Sequence, residues 1–340
     1  MIEQTGANPA ALNRQNTGER LAKRAATLAS IRHYFSQQQV LEVETPLLGQ
    51  YPVTDPQLDN LRVENPFVIT PASSNSNSNS NSNSNSNSNS NSNSNSNSSA
   101  DYLYLATSPE YSMKQLLSLG SGSIYQISKA FRQDEPSRLH AMEFTMLEWY
   151  RMDYDMDELI DDVAALIHSL IPDAAVEKIS YRDAFIRYAG VDPFTASSDE
   201  LELIAKQKMD VSFTHQSKDV WLDLLLTHCV EEHLGKNGMT FLYDYPESQS
   251  ALARLSINAD GQTIAKRFEL YMSGIELANG YHELTDATEQ MRRFECDNQQ
   301  RLQAGDPARE IDAGLVAALD RGLPNCAGVA LGIDRLLLLL

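Results

Sequence analysis

Between Ile127 and Arg151 two runs of alternating residues flank a polar stretch broken by Pro136. Period-two alternation predicts strands, and two such runs around a longer polar connection predict an antiparallel hairpin. In the second run Phe144, Met146 and Glu148 alternate with Thr145, Leu147 and Trp149. Side chains two apart share a strand face, so Glu148 and Tyr150 point together into one cavity. Arg132 follows the first run directly. A guanidinium beside a carboxylate-lined floor suits a phosphate anion and an amine in one pocket, although a surface hairpin laced with salt bridges carries the same pattern.

A chain of 340 residues with 42% apolar content can bury one large core or two medium ones. Its 46 acidic against 27 basic residues give a net charge of -19, which disfavours bulk binding of tRNA or DNA. Cys229, Cys296 and Cys326 are odd in number and share no C-x-x-C spacing, so neither a disulfide framework nor a zinc site is expected and a reducing cytoplasm fits. His168, His215, His228 and His233 lack a metal-binding spacing. The N-terminus has no basic region followed by an apolar run, so no secretory signal is expected. No apolar run is long enough for a membrane span.

Residues 1–17 read as a flexible tail, and Leu21, Ala25, Leu28, Ile31 and Phe35 then recur at helical spacing. A strand over Val40 to Val43 ends at Thr45-Pro46, because proline has no N–H for a ladder. Residues 73–99 alternate Ser and Asn; with nothing apolar to bury, the tract is expected to be disordered between strands at Leu61 to Ile69 and Tyr102 to Ala106. After Ser108-Pro109, Glu110 opens a helix. Asp157 to Leu170 is a further amphipathic helix, Tyr181 to Leu234 holds two or three more, and Phe241 to Tyr245 is a strand.

A second dense stretch begins at Arg267, where Met272-Ser273-Gly274 predicts a turn between antiparallel strands. Glu276 and Glu283 lie seven apart, on opposite faces of an ideal strand, and Asn279-Gly280 is the expected bulge that brings them together. Two carboxylates and an amide there suit a divalent ion on a polyphosphate, or a substrate ammonium. Asp286 and Glu289 read as a capping box. Gly328 and Gly332 in a small-residue strand leave space for a ligand against the backbone.

In order these stretches are F-R with a carboxylate two residues on, E-F-T-M-L-E-W-Y, G-I-E-L-A-N-G-Y-H-E-L-T-D-A and G-V-A-L-G-I-D-R. Together, over Leu21 to Leu340, they resemble the catalytic domain of class II lysyl-tRNA synthetases, and in particular its short branch that acts on elongation factor P. The resemblance implies an α+β fold, an antiparallel sheet flanked by helices, with residues 18–340 as one catalytic domain and a homodimer formed near Pro46. With the first motif helix starting near Leu21, an N-terminal anticodon-binding barrel is not expected.

The resemblance further implies an ATP-dependent ligase that uses Mg2+, activates (R)-β-lysine or lysine as an adenylate and transfers it to a lysine of elongation factor P. Arg132 and Arg335 are the implied catalytic residues. Gln133, Asp134, Phe144, Glu276, Leu277 and Gly332 join them around ATP, with Phe144 stacked on adenine. Glu276 and Glu283 hold magnesium or substrate, and Ser108, Pro109, Glu110, Tyr150, Asn279, Glu283 and Ala330 line the amino-acid pocket. Ala330 stands where the tRNA synthetases usually have glycine, a change linked to accepting a β-amino acid. Asp134 replaces the usual glutamate of F-R-x-E, and Ala141-Met142 replaces N-P of H-N-P-E. The sequence stops one turn into the last motif's helix, where relatives run on by roughly two more turns. Two other readings fit the same motifs: tRNA aminoacylation, and a non-catalytic synthetase-like regulatory subunit.

Overall fold

The computed structural model describes residues 17–67 and 101–340. The Ser/Asn tract 73–99, the end of the strand expected through Ile69 and all of the expected tail except Thr17 lie outside the described residues. Thr17 itself already opens a helix.

The chain begins with α1 (Thr17–Gln37), β1 (Leu41–Glu42), β2 (Leu48–Gly49), β3 (Arg62–Glu64), β4 (Tyr102–Leu105) and α2 (Glu110–Ser118). The hairpin β5 (Ile124–Phe131) and β6 (Glu143–Met152) leads to α3 (Met156–Leu170) and β7 (Ala175–Ser180). Three helices follow, α4 (Tyr181–Ala184), α5 (Ser198–Lys208) and α6 (Lys218–Leu225), then β8 (Gly238–Pro246) and β9 (Leu255–Ile257). A second hairpin, β10 (Thr263–Met272) and β11 (Ile275–His282), precedes α7 (Ala287–Ala304), α8 (Ala313–Gly322), β12 (Cys326–Gly332) and α9 (Ile333–Leu339).

The main sheet has the order β1-β5-β6-β12-β11-β10-β8-β7. Its two edge pairs are parallel and every pair between them is antiparallel, the sheet-and-helix class expected from the motifs. The turn of the second hairpin places Ser273 and Gly274 at φ 54° and 72°, the left-handed pair that matches strand twist in a two-residue loop.

Strand β6 is buried on both faces, so its alternation sorts destinations rather than apolar from polar. Leu147 and Trp149 enter the core with Phe35 of α1 and Val163 and Ile167 of α3. Buried Asp162 of α3 fastens this layer: it accepts from Tyr34 at 2.6 Å and Trp149 at 3.1 Å and lies 3.4 Å from Arg151. On the opposite face Tyr150 packs with Met113 and Leu117 of α2 and Leu315 of α8.

Four details differ from the sequence-based expectations. Leu21 is 63% exposed, because the buried residues of α1 begin only at Thr27, and the N-terminal half touches the sheet through the Arg24 side chain on Thr145. Strand β7 is an element the sequence does not announce; as an exposed edge it carries no apolar alternation. Asp286 caps α7, but Glu289 pairs with Arg292 and Arg293 instead of closing the box. The bulge falls at Leu277 and not at Asn279-Gly280: Leu270 faces Ala278 while Tyr271 faces Glu276.

Candidate active site

Directly opposed residues on neighbouring strands share a face, so the registers lay out the floor of a cleft on the side away from α1 and α3. One row runs Gln126, Glu148, Ala330, Asn279 and Glu269. The next runs Tyr150, Gly328, Tyr281 and Arg267. Phe144 and Tyr150 are six residues apart on β6, or roughly 20 Å of strand, which gives the cleft two ends.

At the Tyr150 end the walls are acidic and buried. The Tyr150 hydroxyl donates to Glu148 Oε1 at 2.7 Å. Lys114, one turn into α2, lies 2.7 Å from Glu110 Oε1 and 2.6 Å from Glu283 Oε2. Gly328 is what lets these groups meet: a Cβ there would fall 2.3 Å from the Tyr150 ring and 2.6 Å from Glu283 Oε1. The glycine therefore makes way for the protein's own side chains, and not for the ligand expected from the sequence.

Several buried polar atoms at this end have no hydrogen-bond partner among the described residues: Glu148 Oε2, Glu283 Oε1, Asn279 Oδ1 and both amide atoms of Gln126. Leaving such groups unmatched is costly, and a set of them facing one cleft marks the place of a ligand. Burial, then the charge of Glu110, pushes Glu148 up to about 8, held back by Tyr150 and Lys114. Burial likewise lifts Glu283 to about 7 against the pull of Lys114. Lys114 moves the other way from a simple buried amine, since Glu110 and Glu283 outweigh its desolvation and raise it.

At the Phe144 end cations dominate. The Arg132 guanidinium stands 5.3 Å from the Phe144 ring centroid, and its Nε donates to the Thr107 carbonyl at 3.4 Å. Arg335 donates to the Glu276 carbonyl at 2.8 Å and to Glu276 Oε2 at 3.1 Å, and its other nitrogen lies 3.1 Å from His140. Desolvation and then the charge of Glu269 raise Glu276, with Arg335 opposing them. Glu269 is held by Tyr271 at 2.6 Å and by Arg267.

The bulge at Leu277 does put Glu276 and Glu283 on one face, yet seven residues, roughly 20 Å of strand, separate them. The convergence of these two carboxylates expected from the sequence is thus corrected: each pairs with a different cation, Arg335 and Lys114. Among the described residues no three His, Cys, Asp or Glu side chains form a ready metal cluster. Glu269 is the carboxylate whose charge bears most on Glu276.

The remaining candidates distribute around this frame. Ser108 and buried Pro109 lead into α2, and the Pro109 carbonyl accepts from Met113. Ala330 lies between Glu148 and Asn279 in register. Gln133 and Asp134 belong to the loop after Arg132, with the Gln133 amide bound to the Asp59 carbonyl. Leu277 sends its side chain into the core on the far face, which leaves only its backbone to the cleft. A Cβ on Gly332 would meet nothing nearer than Arg335 at 3.7 Å, so the space before α9 is open.

Lys114, Gln126, Glu269, Arg267 and Tyr281 are site residues that the sequence motifs do not single out, and the alternation of β6 puts Glu148 in the cavity without giving it a role. Each has a signal: Lys114 sits four residues after Glu110, Gln126 faces Glu148 in a predicted hairpin, and Arg267 and Glu269 alternate with the core residues of β10.

A family model described as tRNA synthetases class II (D, K and N) matches residues 7–340. Among curated proteins, the elongation factor P--(R)-beta-lysine ligase of Photorhabdus laumondii is 44% identical over 322 residues, 94% of this chain and 90% of that protein. The proteins of the same name from Yersinia enterocolitica and Yersinia pestis are each 43% identical over 94% of this chain and 90% of their own length.

Proposed function

Because the chain belongs to the class II tRNA synthetase family of the D, K and N enzymes, we propose that it is an ATP-dependent ligase that joins (R)-β-lysine to elongation factor P. One observation carries the substrate class: buried, unpartnered acceptors on Glu148, Glu283 and Asn279 face one end of a cleft whose other end holds Arg132, Phe144 and Arg335. A lysine-type amino acid has ammonium groups for the first end and a carboxylate that points toward a nucleotide at the second. The names of the relatives supply the acceptor protein.

In the first step a carboxylate oxygen of the amino acid attacks the α-phosphorus of ATP, the bridging Pα–O bond breaks and pyrophosphate leaves. In the second the ε-amino group of the acceptor lysine attacks the carbonyl carbon, AMP leaves and the amine loses a proton. Such chemistry asks for positioning and charge neutralisation more than for acid or base. Arg132 neutralises the α-phosphate and the incoming carboxylate, Phe144 and Arg335 enclose the adenine, and Glu110, Glu148, Tyr150 and Glu283 fix the ammonium groups. Ala330, beside Glu148 and Asn279, sets the space for a β-amino acid.

Magnesium fits beside Glu276: burial and then the charge of Glu269 make Glu276 costly to ionise, which a cation relieves, and these two are the carboxylates that would hold it. When bound it neutralises phosphate charge. Residues 18–340 act as a single catalytic domain, in the cytoplasm, and the first-motif region around Pro46 pairs two copies as a homodimer.

The test is pyrophosphate exchange with each lysine isomer. Exchange that depends on (R)-β-lysine supports the reading. A protein that exchanges with neither isomer contradicts it.

A further inference from the structure

Lys114 is 2% exposed and reaches across the cleft wall, from the first turn of α2 to the end of β11. A buried lysine is expensive unless its charge is matched. Here the match is two carboxylates, Glu110 and Glu283, at 2.7 and 2.6 Å. Both belong to the set assigned above to the substrate ammonium groups. With Glu148, which pairs with Tyr150 instead, this end holds three acids and one resident ammonium.

The bridge leaves a specific pattern. Glu283 meets Lys114 through Oε2 as an ion pair at 2.6 Å, while neither of its oxygens accepts a hydrogen bond and Oε1 lies over Gly328, next to the Tyr150 ring. Glu148 gives Oε1 to Tyr150 and keeps Oε2 unpartnered. One oxygen of each acid is thus fixed by the protein, and the other is presented to the cleft. Without a cation at Lys114, Glu110 and Glu283 would repel each other, and neither would hold its oxygen in place.

We propose that Lys114 is a positioning residue of the amine site, a built-in cation that holds Glu110 and Glu283 so that their remaining oxygens, with Glu148, receive the ammonium groups of a diamino acid. This rests on the function proposed above. Lys114 touches no reacting atom; it acts through the two carboxylates. It follows that its loss weakens recognition of the amino acid and spares recognition of the nucleotide.

Pyrophosphate exchange on the full-length chain tests this with two variants. Lys114→Met keeps the volume and removes the charge; its KM for the diamino acid should rise on the order of a hundredfold, with the KM for ATP within threefold. Lys114→Ala leaves space for the missing three carbons and nitrogen. Added n-propylammonium should restore its KM to within tenfold of wild type, and n-propanol, equal in shape but neutral, should not. An unchanged or lower KM for the diamino acid in Lys114→Met, an equal rise for ATP, or rescue by propanol as well as propylammonium would overturn the proposal. If Lys114→Ala does not fold, the split between the two KM values in Lys114→Met decides alone. Absence of exchange in the wild type would instead count against the proposed function itself, and this inference would fall with it.

Discussion

The two ends of the cleft are built on opposite principles. At the Tyr150 end Lys114, Glu148 and Glu283 are almost wholly buried, and the two acids carry oxygens without a hydrogen-bond partner. At the Phe144 end the Arg335 and Glu276 side chains keep 25% and 37% of their surface exposed, and the arginines rest on carbonyls and a histidine. A buried, acidic site gives discrimination, because a substrate lacking an ammonium leaves a buried acid unmatched. A more exposed, cationic site gives charge neutralisation to groups that change during the reaction. Specificity for the amino acid and catalysis on the nucleotide therefore sit at different ends, joined by six residues of β6.

The largest way to break this comparison is at the cationic end. Arg132→Ala should slow exchange by about a hundred- to a thousandfold, the usual cost of one transition-state donor. Exchange within tenfold of wild type would contradict the role. The acidic end breaks through Gly328→Ala, whose new Cβ collides with the Tyr150 ring and Glu283. Overpacking of about 1 to 3 kcal/mol should weaken the amino acid roughly five- to 150-fold and leave the KM for ATP within threefold. A parallel rise for ATP would show that the two ends are not separable.

Smaller effects sharpen the contrast. Ala330→Gly removes one methyl between Glu148 and Asn279, and the preference for (R)-β-lysine over α-lysine, measured as the ratio of kcat/KM values, should fall by about tenfold. The pH dependence has a definite sign. Burial lifts Glu148 to about 8 and Glu283 to about 7, so the ligand-free pocket holds protons that an incoming ammonium must displace. Affinity for the diamino acid should increase from pH 6 to pH 8.5, with proton release seen by calorimetry in two buffers. These raised carboxylates contribute oppositely to folding: the folded state keeps protons that the unfolded chain gives up above its ordinary carboxylate range, so the stability of the ligand-free protein falls as pH rises toward 8. Glu148→Gln should flatten both trends.

Much of this arrangement is legible in the order of the residues alone. Alternation pairs β5 with β6 and puts Glu148 beside Tyr150, because strand geometry leaves side chains two apart no other face. Met272-Ser273-Gly274 likewise places the second hairpin. Register is harder. Asn279-Gly280 carries the expected chemistry of a bulge, but the extra residue is Leu277, whose apolar side chain gains from turning into the core. Lys114 is illegible for a different reason: a glutamate and a lysine four apart on a helix are ordinary surface stabilisation, and only the arrival of Glu283 from β11, far along the chain, makes the pair part of a pocket. Arg267 escapes notice because its partner Tyr245 comes from β8 and not from neighbourhood in sequence, and Glu269 because Tyr271, two residues along its own strand, reads as plain alternation. Strand β7 has no apolar pattern to read, since its side chains are mostly in solvent.

The most direct measurement is the mass of purified elongation factor P after incubation with the wild-type chain, ATP and either lysine isomer. The account predicts a gain of one lysyl group on a single lysine, larger with (R)-β-lysine, that needs ATP and is lost with Arg132→Ala. An unchanged mass with both isomers, under conditions where the same protein charges tRNA, would contradict it.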